Sequence, residues 1–186
     1  MRIGLALSCV VMCVAFGSMS CGGNDAAPTC TGVGCSCVDT ACTCVAGADC
    51  KTECGEENCS LDCTSAAKCN GNTNGALTLE CQDTSECKGN GGVDSAITCV
   101  GDSNCDLKAG ASSTAACSAT SDCKINLGSA SSVSCTEQSH CDIKCDQDCV
   151  VTCAQTASCS VSCGGSDAGV AAMTCPDGRR VCGMSC

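Results

Sequence analysis

Sulfur is what this sequence offers for chemistry: 29 of its 186 residues are cysteine. Reduced thiolates ligate zinc or copper(I), whereas oxidised pairs brace a fold too thin to hold itself. Cys35-Ser-Cys37 and Cys42-Thr-Cys44 have the C-x-C spacing of a thiolate cluster. Most other cysteines obey a longer ruler. One row recurs every 18 residues at Cys63, Cys81, Cys99, Cys117, Cys135 and Cys153. A second follows six residues behind, at Cys69, Cys87, Cys105, Cys123, Cys141 and Cys159. Cys44 and Cys50 form an earlier pair one residue out of phase. A metal cluster needs no such period, whereas a stacked repeat does. Catalysis finds less support. His140 is the only histidine, at a place where other repeats carry Asp49, Lys68, Glu86, Asn104 and Asp122. That is the pattern of a solvated surface position. No Ser, His and Asp set and no nucleotide-binding glycine loop occurs. Arg179 and Arg180 are adjacent and could meet an anion, but solvated charge is the simpler reading.

The elements that hold these cysteines follow from the same ruler. With the first cysteine of each pair as position 1 and the second as position 7, position 5 is always small: Ala48, Ala67, Ser85, Ser103, Ser121, Ser139, Ala157. Position 9 is apolar in the later units (Leu107, Ile125, Ile143, Val161), and position 17 throughout (Leu79, Ile97, Ala115, Val133, Val151). All these positions are odd, so the buried set has a period of two, the period of a strand. Position 12 reads Gly55, Asn74, Gly92, Gly110, Gly128, Asp146, Gly164. Those residue types tolerate positive φ, which predicts a turn there. The fold class is therefore all-β: a disulfide-stapled β-solenoid, or parallel β-helix, of about 18 residues per coil. Position 8 gives a second sign of stacking, because Lys88, Asp106, Lys124 and Asp142 alternate in charge from coil to coil.

In such a coil, positions 1 and 7 face inward on either side of a corner, and the small position 5 leaves room for two sulfurs. The disulfide candidates are Cys44 with Cys50, Cys63 with Cys69, Cys81 with Cys87, Cys99 with Cys105, Cys117 with Cys123, Cys135 with Cys141, and Cys153 with Cys159. Cys145 with Cys149 is a second staple in its coil, and Cys54 and Cys59 fall at similar positions. Pairing along the rows, from coil to coil, is the alternative that spacing leaves open. Each short staple stabilises by roughly 2 kcal/mol in the chain-entropy account.

Composition agrees with a narrow object. There is no Trp or Tyr and only one Phe, so the rings that fill a wide core are missing. Acidic residues outnumber basic ones 20 to 9, which disfavours nucleic acid and anionic membrane surfaces as partners.

The N-terminus supplies an address. Arg2 precedes a mostly apolar run, Ile3 to Phe16, and then Gly17-Ser18-Met19-Ser20-Cys21. The run has the form of a secretion signal and is too short to span a membrane as a mature helix. Ser20 before Cys21 resembles the lipobox of bacterial lipoproteins, with Ser18 where that family usually has Leu. The resemblance implies that Cys21 is acylated and becomes the new N-terminus; plain cleavage and secretion is the alternative. Lipid on Cys21 and loss of Cys9 and Cys13 leave 26 cysteines, an even number that permits full pairing. The small residues after Cys21 resemble those of outer-membrane lipoproteins.

Other resemblances stop short. The aromatic-free thiol clusters look like metallothionein, but export to an oxidising space turns thiols into disulfides. RTX proteins also have 18 residues per coil, yet no G-G-x-G-x-D run occurs and no calcium site is assigned. The C-x5-C pair in a solenoid coil resembles beetle antifreeze proteins. Their flat T-x-T row is not matched by position 18, which reads Glu80, Thr98, Ala116, Ser134, Thr152. Over the whole chain, the signal, lipobox, tether and repeat resemble the cysteine-rich lipoproteins of myxobacteria and related Gram-negative bacteria.

The expected organisation is a signal peptide (1–20), a lipid-bearing Cys21 with tether (21–29), a cysteine-rich cap (30–43), the solenoid (44–163) and a C-terminal cap (164–186). The expected function is a cell-envelope lipoprotein of the outer membrane or cell surface, structural or adhesive, without catalysis, cofactor or metal. Its partners would be the membrane, through the lipid, and surface proteins or glycans, not nucleic acid. An extracytoplasmic thiolate metal or redox protein, and a secreted disulfide-rich effector or inhibitor, are the alternatives.

Overall fold

The computed structural model describes residues 27–56, 58–164 and 170–186. The expected signal segment, Cys21 and most of the tether lie outside these residues. The chain opens with β1 (Thr29–Thr31) and β2 (Cys35–Val38). Fourteen strands then alternate between two sheets. The first of each pair are β3 (Ala41–Cys44), β5 (Cys59–Cys63), β7 (Leu77–Cys81), β9 (Ala96–Cys99), β11 (Thr114–Cys117), β13 (Ser132–Cys135) and β15 (Cys149–Cys153). The second are β4 (Asp49–Glu53), β6 (Lys68–Asn72), β8 (Glu86–Asn90), β10 (Asn104–Ala109), β12 (Asp122–Leu127), β14 (His140–Cys145) and β16 (Ser158–Cys163). Short strands β17 (Val170–Ala171), β18 (Met173–Thr174) and β19 (Arg180–Cys182) close the chain.

The odd-numbered coil strands form one parallel sheet and the even-numbered ones another. This is a β-solenoid, and its register is the 18-residue ruler: Cys105 lies on Cys87 and Cys123, and Cys117 on Cys99 and Cys135. At both ends the added strands run antiparallel. β1 pairs with β4 and β2 with β3; β17 pairs with β16, and β19 with both β15 and β18. They occupy edges that would otherwise offer unpaired N–H and C=O groups.

The core between the sheets is one column of sulfur and two of hydrocarbon. Leu61, Leu79, Ile97, Val133 and Val151 fill the position-17 column, and Leu107, Ile125 and Ile143 the position-9 column, all buried. In the early coils position 9 is Gly71 and Gly89. Leu77 takes the space: a Cβ on Gly89 would come within 3.1 Å of methyls of Leu77 and Leu107. Volume is thus conserved across the sheets, as close packing requires.

The turn expected at position 12 is present, opening the bends at 93–94, 111–112 and 129–130, but the positive φ expected of it lies elsewhere. Gly55 and Gly164 have positive φ, but Asn74, Gly92, Gly110, Gly128 and Asp146 do not. The glycines serve close approach: a Cβ on Gly92 would stand 2.0 Å from the Asn74 carbonyl oxygen, one coil away. The left-handed residues are instead position 3 (Ser65, Asp83, Gly101, Ala119, Glu137) and position 14 (Asp94, Ser112, Ala130, Asp148). Hydrogen bonds between stacked corners hold this unfavourable geometry, such as Thr120 N–H to the Gly101 carbonyl (3.2 Å) and Gln138 N–H to Ala119 (3.0 Å).

Candidate functional site

Cysteine chemistry is built into the corners. Cys63–Cys69, Cys81–Cys87, Cys99–Cys105, Cys117–Cys123, Cys135–Cys141 and Cys153–Cys159 are disulfides within single coils. Cys44–Cys50, Cys54–Cys59 and Cys145–Cys149 follow the same rule. The caps add Cys30–Cys35, Cys37–Cys42, Cys163–Cys182 and Cys175–Cys186. Every cysteine from Cys30 to Cys186 therefore has its partner inside that range. The position-5 serine assists the corner: Ser85 Oγ donates to the Gln82 carbonyl (2.5 Å), and Ser139 Oγ to Thr136 (2.8 Å). Sulfurs of successive coils come close: Cys63, Cys69 and Cys87 lie within 4.8 Å of one another, as do Cys99, Cys105 and Cys123. As disulfides they carry no thiolate, the form that binds soft metals; reduction would turn each group into a potential ligand set.

Two outer faces remain for recognition. On the β4–β16 sheet, strands alternate buried and outward residues, so positions 6, 8 and 10 look out. All six lysines of the chain stand there: Lys51, Lys68, Lys88, Lys108, Lys124 and Lys144. Asp49, Glu53, Glu86, Asp106, Asp122 and Asp142 share the face and balance them, although the whole chain carries −11. The position-8 residues are register neighbours, Asp106 beside Lys88 and Lys124, and Lys124 beside Asp142. Ion pairs within 4.0 Å form elsewhere on the face, Lys51 with Glu53 (3.0 Å) and Glu86 with Lys68 and Lys88 (both 3.9 Å). Hydrogen bonding from Lys51, then from Asn72, holds the Glu53 carboxyl below the usual range despite some desolvation. Asn90 donates to Asn72 (2.8 Å) and Asn72 to Glu53 (3.2 Å), a polar ladder along position 10. His140 is exposed here, in register between Asp122 and Ser158.

The β3–β15 sheet presents the opposite character. From β9 onward its outward residues are uncharged: Ala96, Thr114, Ser132 and Val150 in one row, Thr98, Ala116, Ser134 and Thr152 in the next. Among the described residues, only Asp62 and Glu80, nearer the N-terminal end of the stack, bring charge to its strands β3 to β15. Where the other sheet ends, a shallow cleft of about 770 Å³ runs along Gly110, Gly128 and Gly164, beside Lys108, Asn126 and Lys144. In the C-terminal cap, Arg179 is held by Asp177 (2.7 Å) and Arg180 donates to the Cys159 carbonyl (2.5 Å). Both arginines thus have partners within the protein.

Sequence reasoning missed three of these features. The collection of every lysine on one face was readable, since all occupy positions 6, 8 and 10. The buried serine column at position 15 was readable only as polarity in a core row. There Ser95, Ser113 and Ser131 accept hydrogen bonds from the backbone N–H of Leu77, Ser95 and Ser113 one coil below (3.0, 3.2 and 3.1 Å). The role of Leu77 depends on glycines in neighbouring coils and has no signal within its own repeat. No protein-family model matches the chain, and neither a curated protein nor a solved structure does.

Proposed function

We propose that this chain is an exported lipoprotein, anchored through Cys21, that serves as a rigid structural or adhesive scaffold in the cell envelope without catalysis. The observation that carries the reading is the exhaustive pairing of cysteines from Cys30 to Cys186. It leaves Cys21 with no thiol to meet in the folded region, beside small Ser20 and behind an apolar run. Thirteen disulfides are consistent with maturation in an oxidising, extracytoplasmic space. The same signal, tether and repeat resemble the cysteine-rich lipoproteins of myxobacteria. Surface proteins or glycans are the partners that the polar outward rows of the two sheets would suit.

Mass spectrometry of the mature N-terminus tests the anchor. A diacylated or triacylated Cys21 is the expected result. An unmodified N-terminus at or near this residue would replace the reading with a secreted disulfide-rich effector or inhibitor. The close sulfur groups favour one second reading, a thiolate metal or redox protein. Thiol titration of the native protein separates the two: the scaffold has almost no free thiol, whereas the rival has many and retains zinc or copper.

A further inference from the structure

We propose that the lysine-bearing face is a self-association surface, on which a second copy of this chain packs sheet to sheet with its rod axis reversed. The proposal goes beyond the anchored scaffold and stands without it. Its basis is the order of charge along position 8. On β8, β10, β12 and β14 that column reads Lys88, Asp106, Lys124, Asp142. A two-fold axis lying in the face, parallel to the strands and midway between β10 and β12, sets β8 over β14 and β10 over β12. Lys88 then meets Asp142 and Asp106 meets Lys124, each twice by symmetry.

The flanking columns accept this arrangement. At position 6, Glu86 faces His140 and Asn104 faces Asp122. At position 10, Asn90 faces Lys144 and Lys108 faces Asn126. No like charges oppose each other among these strands. Arrangements with the axis on a strand, or with the rods parallel, fail on the same residues. Moving the axis onto β12 sets Asp106 over Asp142, Lys108 over Lys144, and Lys124 over itself. Moving it onto β10 sets Lys88 over Lys124. Rods laid parallel set every position-8 charge over its own copy. The charge order therefore penalises an axis placed on a strand, the way electrostatic complementarity gives specificity. An axis midway between β8 and β10 again opposes unlike charges, Lys88 over Asp106 and Lys51 over Asp142, and the variants below separate it from the register proposed. Isologous contacts of this kind close a dimer and do not propagate.

The rest of the molecule keeps copies apart, because its excess negative charge lies outside this balanced face. Six overlapping strands at about 4.8 Å spacing and about five residues of width give a contact of roughly 500 Å² per copy. That is below the ~800 Å² per partner of a standard interface, so the dimer is weak and governed by salt.

The test is sedimentation equilibrium of the full exported chain in a Cys21→Ser background, which stays soluble whether or not the anchor reading holds. The expected result is a monomer–dimer equilibrium at about 0.1 M ionic strength, where a screening length of about 10 Å damps the repulsion between the acidic bodies but spares the contact pairs, and its loss near 1 M, where that length is about 3 Å. Two double variants of identical composition then decide the register. Asp106→Lys with Lys124→Asp keeps every cross-pair opposite and retains the dimer. Lys124→Asp with Asp142→Lys sets like on like and weakens it at least about tenfold. Far-UV circular dichroism and a complete disulfide count show that both variants are folded. Monomer alone at about 0.1 M ionic strength, or equal behaviour of the two variants, overturns the proposal.

Discussion

Asp62 and Glu80 stand directly opposite each other on the neighbouring parallel strands β5 and β7, two carboxylates on one rung. Asp62 is half-buried, and among the described residues its Oδ1 has no hydrogen-bond partner. Burial raises its pKa, and the charge on Glu80 raises it further. The folded state therefore holds the Asp62 proton more tightly than the unfolded chain, so ionised Asp62 weakens the fold at neutral pH. Stability from this group rises as pH falls through the raised value and levels off below the ordinary aspartate range that the unfolded chain keeps. Asp62→Asn should raise the Tm at neutral pH, with the advantage over the parent shrinking towards about pH 4. A Tm series across pH for both proteins checks this; a variant less stable at neutral pH would contradict it.

The corner glycines make a steric prediction. Gly92→Ala brings a Cβ to within 2.0 Å of the Asn74 carbonyl oxygen, which is backbone and cannot swing aside. A loss of roughly 1–3 kcal/mol is expected, the scale of overpacking. Denaturant unfolding with disulfides intact would report it as a lower midpoint at unchanged slope.

Ala119 predicts the reverse. Its φ is 60°, a conformation that costs an L-residue about 1–2 kcal/mol, against the roughly 0.5–1 kcal/mol of entropy that glycine forfeits. Ala119→Gly should therefore be neutral to stabilising by up to about 1 kcal/mol, read as a higher Tm. A clear drop would mean that the methyl group makes contacts which outweigh the backbone relief.

The staples should act one coil at a time. Replacing both Cys117 and Cys123 with Ala removes one disulfide and should cost about 2 kcal/mol or somewhat more, once the small cavity is included. The stacked hydrogen bonds on either side remain, so the far-UV spectrum should stay that of a β-protein. Loss of all folded signal from this single change would show that the coils do not stand as nearly independent units.

What the sequence made legible, and what it did not, divides along a physical line. Cysteine rows 18 apart, and apolar residues at positions 9 and 17, report directly on which side chains face inward, and they located the coil and its staples. The corner at position 12 was legible, but its left-handed backbone was misassigned, because the glycine there answers to a neighbouring coil's carbonyl, whereas the left-handed residues are Ala119, Ala130 or Glu137. Local propensity disfavours those residues there, and hydrogen bonds between coils override it. The outer faces had a sequence signal in the lysines at even positions, but its meaning needed two dimensions. Alternation along one row becomes a surface pattern only when rows lie side by side.

The strands that cross the first and last coils against the grain of the stack carry a final consequence. A repeating coil has no intrinsic last turn, because each rung presents the same hydrogen-bonding fringe as the one before. Length is thus a property of the lids β1, β2, β17 and β19 and not of the repeat. A chain stripped of them would be expected to polymerise end to end into fibres, and one given another 18-residue unit between them would simply grow taller by about 4.8 Å.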